Sequence, residues 1–210
     1  MSAVAIVLAA VVAATQPNLV KIVLKPAAVG MGYVELQRTD GHGTAERTLD
    51  LCGVKDYPSE SLRLGRLQVD YLRQNTQLYL SNEVVTYKPG GAAQAMREVA
   101  QHAATCPDKP IAFEGQPPLT YRVTRIRDPK LLPGAIALRV DVSGTIKGKK
   151  VSAVRFAVYQ REGNTLSGVY SYVAGTGVPA AAQEQFALHA AEASAKVLRG
   201  TGAAPKGPAA

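Results

Sequence analysis

Cysteine and tryptophan are the scarcest residues of this chain, which has two cysteines, Cys52 and Cys106, and no tryptophan. Neither cysteine lies in a Cys-x-x-Cys motif and no group of histidines accompanies them, so neither a thiol redox centre nor a zinc site is indicated. A free thiol usually behaves as a small buried apolar side chain, whereas a disulfide needs an oxidising compartment. We therefore predict a structural disulfide and a location outside the cytoplasm, with two independent buried thiols as the alternative.

Motifs that carry catalysis are also absent. The chain has no G-x-S-x-G, H-E-x-x-H or P-loop sequence, and the glycine pair at residues 30–32 lacks the rest of a dinucleotide-binding motif. Its three histidines, His42, His102 and His189, are far apart along the chain. A surface or helix-cap position is the ordinary role of such residues. We expect neither catalytic activity nor a cofactor or metal ion.

Charge is missing from the start of the chain, where residues 2–14 form an uncharged apolar run. The run is shorter than the roughly 20 residues of a membrane-spanning helix, and it matches the apolar part of a secretory signal. No lysine or arginine precedes it, so a trimmed membrane segment and a buried N-terminal element are alternatives. We predict a signal or membrane-proximal segment over residues 1–15, one domain over residues 20–200 and a disordered tail over residues 201–210.

Acidic residues are fewer than basic ones, 16 against 24, and the formal net charge is +8. A basic surface favours anionic partners such as acidic lipid or cell-wall polymer, although a dispersed excess is also typical of a solvated surface. The basic residues gather at residues 122–130 and 147–150. Grooves for nucleic acid interleave such charges with aromatic side chains, and Tyr121 is the only aromatic residue nearby. We therefore expect no nucleic-acid partner.

Periodicity in the apolar residues predicts the fold class. Alternation predicts strands at residues 32–39, 61–73, 77–88, 121–127, 136–142, 154–159 and 166–173. A change of parity around Gly65 indicates a β-bulge, and turn residues join several neighbouring strands as hairpins. We therefore predict an α+β fold, with a mainly antiparallel sheet packed against two principal helices.

The two helices are predicted from spacings of three and four residues. In the first, over residues 92–106, the predicted buried stripe is Ala92, Met96, Val99, Ala103 and Cys106. This stripe directs Cys106 toward the turn that holds Cys52. The same helix is predicted to face solvent with Arg97, Glu98 and Gln101. Pro179 is predicted to open the second helix as a first-turn residue, and the predicted buried stripe of this helix is Phe186, Ala190, Ala193 and Val197.

Polar residues are unusually dense in the hairpin predicted over residues 59–88. One face of this hairpin must be buried, and the other carries alternating opposite charges and a hydroxyl group. We predict that this face forms the polar wall of a binding cleft and that Arg63, Arg66, Glu83 and Tyr87 bind the ligand. The alternative is a solvated sheet face with a network of cross-strand ion pairs.

Several short motifs, in order, resemble those of a known family. They are TLDLCG at residues 48–53, YPSESLR at 57–63, SNEVVTYKPGGAAQAM at 81–96, AATCP at 103–107 and REGNTLSGVY at 161–170. Over about residues 20–200 the chain resembles actinobacterial extracytoplasmic domains related to the sensor domain of PknH-type serine/threonine kinases. The resemblance implies an antiparallel sheet flanked by helices, a cleft for an unknown ligand, and a secreted or lipid-anchored protein. That sensor domain carries two disulfides, whereas this chain has cysteines for one.

Three functional hypotheses follow from the sequence. The first is a secreted or membrane-proximal, non-catalytic sensor-like domain that binds an unknown small-molecule or cell-wall ligand in the cell envelope. The second is an envelope hydrolase using a carboxylate or histidine pair, which predicts a deep pocket with two titratable groups of shifted pKa. The third, a cell-wall-associated adhesive protein, rests on the basic charge and predicts salt-dependent binding to anionic polymer.

Overall fold

The computed structural model describes residues 18–41, 47–74, 76–107, 109–112, 117–173 and 178–201. The predicted signal segment, most of the predicted tail and His42 lie outside these residues. Within them, no helix combines the length and the apolar character needed to cross a membrane.

In the described part of the chain, seven strands form one sheet in the order β1-β2-β3-β7-β6-β5-β4, and every neighbouring pair is antiparallel. The strands are Tyr33–Gly41 (β1), Arg63–Arg73 (β2), Leu78–Tyr87 (β3), Leu119–Ile126 (β4), Ile136–Ile146 (β5), Lys149–Glu162 (β6) and Thr165–Val173 (β7). The helices are Leu19–Ile22 (α1), Pro26–Val29 (α2), Gly91–Ala104 (α3) and Ala180–Thr201 (α4), and Pro58–Leu62 forms a 3-10 turn. The predicted α+β class is confirmed, with α3 and α4 as the two principal helices.

Turn and bulge residues set the register of this sheet. The pairing of β2 with β3 shifts between Arg63 and Gly65, which confirms the predicted bulge. Lys147 and Gly148 join β5 to β6 with φ values of 50° and 75°. Positive φ at both central residues is what a two-residue type I′ hairpin requires. Short connections of this kind make strands that are consecutive in sequence neighbours in the sheet.

One face of the sheet, here called the helix face, is covered by α4, with α1 and α2 beside it. The buried stripe predicted for the C-terminal helix is only partly right, because the helix is rotated by about one position. Its buried residues are Gln183, Ala187, Ala190, Ala191, Ser194, Ala195 and Leu198. Small side chains let α4 approach the strands closely, whereas the bulky Phe186 sits at the margin, where it meets Tyr33 edge-on at 6.4 Å.

Neutral polar groups form a buried seam within the helix face. Asn82 accepts a hydrogen bond from the Leu24 amide at 2.9 Å and donates to Ser167 Oγ at 3.0 Å. Ser167 is in turn 2.7 Å from Ser194 of α4. Gln160 accepts from the Leu132 amide at 3.0 Å and donates to the Ala191 carbonyl at 2.8 Å. Each pairing satisfies a buried polar group that would otherwise destabilise the fold, and together they fix where α4 lies.

The opposite face, here called the strap face, is covered by α3 and by residues 47–57, here called the strap. Cys52 of the strap and Cys106, just after α3, form a disulfide with their sulfur atoms 2.03 Å apart. The predicted bridge is therefore present, and it joins positions 54 residues apart. In the chain-entropy model a loop of this length stabilises the fold by about 4 kcal/mol.

Glu98 is buried, although the periodicity of the first helix predicts that it faces solvent. Its exposed fraction is 9%. Its carboxylate accepts hydrogen bonds from the Ser59 amide at 3.1 Å, from Ser59 Oγ at 2.5 Å and from Gln94 Nε2 at 2.9 Å. Ser59 belongs to the first turn of the 3-10 segment, whose amides lack partners within that turn. Glu98 supplies the missing acceptor and so joins the segment before β2 to α3.

Candidate functional site

A cleft of about 440 Å³ lies on the strap face, between the strap and the middle of the sheet. The strap lines it with Arg47, Thr48, Asp50, Leu51 and Cys52. Side chains from strands β2 to β7 form the remaining wall and floor. A cavity of this volume is typical of a site for a small organic ligand.

Glu83 lies at the floor of the cleft with an exposed fraction of 1%. Its carboxylate pairs with the guanidinium of Arg66, which has an exposed fraction of 5% and lies on the neighbouring strand β2. The Tyr170 hydroxyl donates a second hydrogen bond to it at 3.1 Å. A buried carboxylate is tolerated only with such partners, because transfer from water disfavours its charged form.

Burial therefore governs the protonation of Glu83. Desolvation raises its pKa to about 7, although the charge of Arg66 and hydrogen bonds from Arg66, Tyr170 and Thr48 act to lower it. Burial also raises the pKa of Tyr170 well above its ordinary value, and the nearby Glu83 carboxylate adds to this shift. Tyr170 thus remains a neutral hydroxyl donor while Glu83 titrates near neutral pH.

A chain of polar side chains extends from Arg66 along the sheet. Arg66 donates to the side-chain amide oxygen Oε1 of Gln68, and Gln68 Nε2 donates to Asp70 at 3.1 Å and to Ser81 Oγ at 2.8 Å. Ser81 donates to Asp70 in turn. Gln68 also lines the cleft, so this network connects the floor to the outer part of β2. Connected networks of this kind hold each side chain in a fixed orientation.

Tyr170 connects the sheet to the strap. Its hydroxyl lies 3.3 Å from the Thr48 carbonyl, in addition to its hydrogen bond to Glu83. To reach these acceptors the ring folds back over Gly168, where an added Cβ would overlap the hydroxyl oxygen. Glycine at this position therefore leaves the space that the tyrosine ring occupies.

Tyrosine rings form much of the cleft wall. Tyr159 meets Tyr170 edge-on, with ring centroids 5.6 Å apart. Tyr172 stacks against Tyr79 at 5.0 Å with nearly parallel planes, so one face of its ring is covered by Tyr79. The side chain of Tyr172 is nonetheless 42% exposed and lines the cleft. It therefore offers an aromatic surface to a bound ligand.

Three exposed charges stand at the rim, namely Arg47 and Asp50 on the strap and Arg155 on β6. Among the described residues, no carboxylate forms an ion pair with Arg47 or Arg155. A guanidinium presents a planar fork of donors that matches a carboxylate or phosphate group. The rim can therefore receive an anionic group without breaking an existing ion pair.

Of the four residues predicted to bind a ligand, the structure places two at the floor of the cleft and two outside its lining. Glu83 lines the cleft, and Arg66 lies directly behind it as its ion-pair partner. Arg63, which does not itself line the cleft, pairs instead with Glu60 at 3.1 Å and donates a hydrogen bond to Oγ1 of the lining residue Thr48 at 3.2 Å. Tyr87 is buried in the apolar core of the strap face. Their role in binding stays a prediction, and the polar hairpin face is buried rather than solvated.

Sequence reasoning missed most of the cleft lining. Arg155, Tyr159 and Tyr172 face the cleft from β6 and β7, which the sequence shows only as ordinary alternating strands. The signal was present, because Arg155 alternates with the apolar Phe156 and Val158, and Tyr170 and Tyr172 share one face of β7. What the pattern could not show is that the strap crosses this face and encloses these residues.

The two histidines that the structure describes, His102 and His189, lie apart from each other. His102 lies on α3 and meets Tyr57 edge-on at 5.0 Å, whereas His189 lies on α4, on the other face of the sheet. In the part of the chain that the structure describes, no group of three or more histidine, cysteine or acidic side chains is placed to hold a metal ion.

Comparisons with known proteins bear on the fold. No family model matches the sequence, and no curated protein matches it. Among solved structures, the extracellular domain of PknH from Mycobacterium tuberculosis is similar, with a TM-score of 0.57 and 11% sequence identity. The match covers 84% of this chain and 94% of that domain. The chain therefore shares its fold with the extracellular domain of a kinase, a distant structural relationship in line with the resemblance read from the motifs.

Proposed function

We propose that this chain is a secreted or membrane-proximal sensor-like domain that binds a ligand of the cell envelope in the cleft, without catalysis. The observation that carries the proposal is the cleft itself, a preformed cavity whose buried floor is fixed by Arg66, Glu83 and Tyr170. The fold shared with a kinase extracellular domain supports the sensor-like role, and the disulfide supports an oxidising location.

The lining favours a ligand that combines a ring or other apolar face with an acidic group. Tyr172 offers an exposed aromatic surface, and Arg155 lines the same cavity from the adjacent strand. Arg47 faces this cavity from the strap. A ring packed on Tyr172 would therefore place an acidic substituent near guanidinium groups that form no ion pair with the described residues, and such groups bind carboxylates and phosphates by paired hydrogen bonds.

Native mass spectrometry of the full chain, purified from its own cell envelope, tests this proposal. We expect a co-purifying small molecule in the unmodified protein and its loss from Arg155→Gln and from Tyr172→Ala. Arg122→Gln is the matched control, because Arg122 is an exposed arginine of β4 that does not line this cleft. Equal retention by the control and both cleft variants would contradict binding in the cleft.

A second candidate is the envelope hydrolase, and one observation favours it. A carboxyl group with a pKa of about 7 in a cleft is typical of a general acid or base. Incubation of the identified ligand with the protein separates the two functions, since a sensor leaves the mass of the ligand unchanged. Appearance of a hydrolysis product, and its loss in Glu83→Gln, would establish the hydrolase instead.

A further inference from the structure

A second hollow, of about 410 Å³, lies between α3, β4 and the residues that lead into β5. Three arginines from three elements line it, Arg97 of α3, Arg125 of β4 and Arg161 of β6. No acidic side chain is among the described residues of its lining. The salt bridges found among the described residues include none of these arginines, and Arg161 donates only to the Gly163 carbonyl at 3.1 Å.

Three like charges around one hollow repel one another. Because a helix and two strands of one sheet hold these arginines, their backbone positions are fixed. Three positive charges fixed around one hollow give it a positive electrostatic potential, which favours a bound anion there.

We propose that this hollow binds a phosphate ester. A planar carboxylate is satisfied by the paired donors of one guanidinium, whereas a tetrahedral phosphate has oxygen atoms for donors that arrive from several sides. The apolar part of the lining, Met96, Ala100 and Ile136, would contact the carbon portion of the ester. None of the three arginines lines the cleft of the proposed function, so a failed test of one site would leave the proposal for the other site unaffected.

Methionine methyl NMR offers a direct test, because the lining contains Met96. The full chain, labelled at its methionine methyl groups, is titrated with glycerol 3-phosphate and, separately, with vesicles of phosphatidic acid in phosphatidylcholine. We expect a saturable shift or broadening of the Met96 signal. Met31, which is 92% exposed and does not line the hollow, is the internal reference.

Substitution separates a specific site from general charge. We expect each of Arg97→Gln, Arg125→Gln and Arg161→Gln to weaken binding by on the order of tenfold, the effect of losing a hydrogen bond to a charged group. The matched control replaces Lys147, Lys149 and Lys150 together by glutamine, which removes positive charge from the exposed β5–β6 turn. All of these side chains are exposed, so their replacement leaves the core intact.

The outcomes also identify the source of the phosphate. A Met96 response to glycerol 3-phosphate, lost in the arginine variants, supports a soluble ester. A response only to the phosphatidic acid vesicles, lost in the same variants, supports a lipid headgroup. Absence of a Met96 response to both probes, or an equal loss of binding in the triple lysine variant, would overturn the proposal.

Discussion

Asn82 and Glu83 are consecutive residues of β3, yet their side chains enter opposite faces of the sheet. Asn82 lies in the helix face among neutral partners, the Leu24 amide, Ser167 and the Gly168 carbonyl. Glu83 lies in the strap face, where a buried guanidinium and a tyrosine hydroxyl hold its carboxylate. Both side chains are buried and hydrogen-bonded, but only one of them can change its charge.

This difference separates a structural face from one that can respond to its surroundings. The neutral seam keeps the same hydrogen bonds at every ordinary pH, and it fixes α4 over close-packed small residues. The charged network borders an open cleft, so its energy depends on protonation and on whatever enters the cavity. Four predictions test this contrast, in order of decreasing expected effect.

Removing one partner of the buried ion pair should have the largest effect. We expect Arg66→Met to lower the free energy of unfolding at pH 8 by about 3–5 kcal/mol, because it leaves an unpaired buried carboxylate. Asn82→Val, on the helix face, should cost only about 1–3 kcal/mol, since it leaves neutral groups unsatisfied. Urea unfolding measures both. Equal losses in the two variants would remove the distinction between the faces.

The double variant Arg66→Met/Glu83→Leu is the control for this experiment. Replacing both members of a buried ion pair by apolar residues is often neutral. Most of the stability lost in Arg66→Met should therefore return, and a double variant as unstable as the single one would show that packing, not the unpaired charge, is responsible.

Removal of the disulfide should have the second-largest effect on stability. We expect Cys52→Ala/Cys106→Ala to lose about 4 kcal/mol, the chain-entropy contribution of its loop. Locally, amide hydrogen exchange should accelerate more in the strap than in α4, because the bridge contacts only the strap face. Uniform acceleration across both faces would show that the bridge stabilises only through the unfolded chain.

The third prediction concerns pH. The folded-state pKa of Glu83, about 7, lies above its ordinary value of 4.5, so the folded protein binds this proton more tightly than the unfolded chain. Stability from Glu83 is therefore complete below pH 4.5 and is lost as the pH rises toward 7, by about 3 kcal/mol at about 1.4 kcal/mol per unit. Glu83→Gln should abolish this part of the pH dependence, which thermal or urea unfolding from about pH 4 to about pH 8 would reveal. An identical pH profile in Glu83→Gln would contradict the shift.

The smallest expected effects are the changes in stability caused by alanine at two glycines. Gly168→Ala places a methyl group where the Tyr170 hydroxyl lies, and overpacking of this kind typically costs about 1–3 kcal/mol. Gly200→Ala, near the end of α4, meets no atom within 4 Å and should stabilise the protein by up to about 1 kcal/mol. Denaturant midpoints measured on the two variants should therefore move in opposite directions. A neutral Gly168→Ala would mean that Tyr170 is not confined by its contact with the strap.

The sequence predicts the sheet well because strand signals are local. Alternation places the start of β5 correctly at Ile136, although the strand continues to Ile146, and the parity change at Gly65 reveals the bulge in β2. The side of a helix that is buried is harder to predict from sequence, because it depends on which tertiary partners are available. Glu98 is buried by its hydrogen bonds to Ser59, and Ser194 by its contact with Ser167. Neither partner is visible in the periodicity of a single helix.

Of the candidate site, the sequence predicts only the floor of the cleft. Glu83 and Arg66 stand on a hairpin whose density of charge is visible in the sequence, and their cross-strand neighbourhood follows from the register. Arg47 and Arg155 could not be brought together by any local pattern, because one lies on an irregular strap and the other 108 positions later on β6. Long-range closure of the strap over the sheet creates the site.

The tyrosines of the cleft have a practical consequence. Four of the nine tyrosines, Tyr121, Tyr159, Tyr170 and Tyr172, line this one cavity. The chain has no tryptophan, so no indole group absorbs or receives the energy of their excited states. Ultraviolet absorbance and fluorescence of the unmodified protein therefore report in part on the surroundings of the cleft, and the molecule carries its own optical label for occupancy.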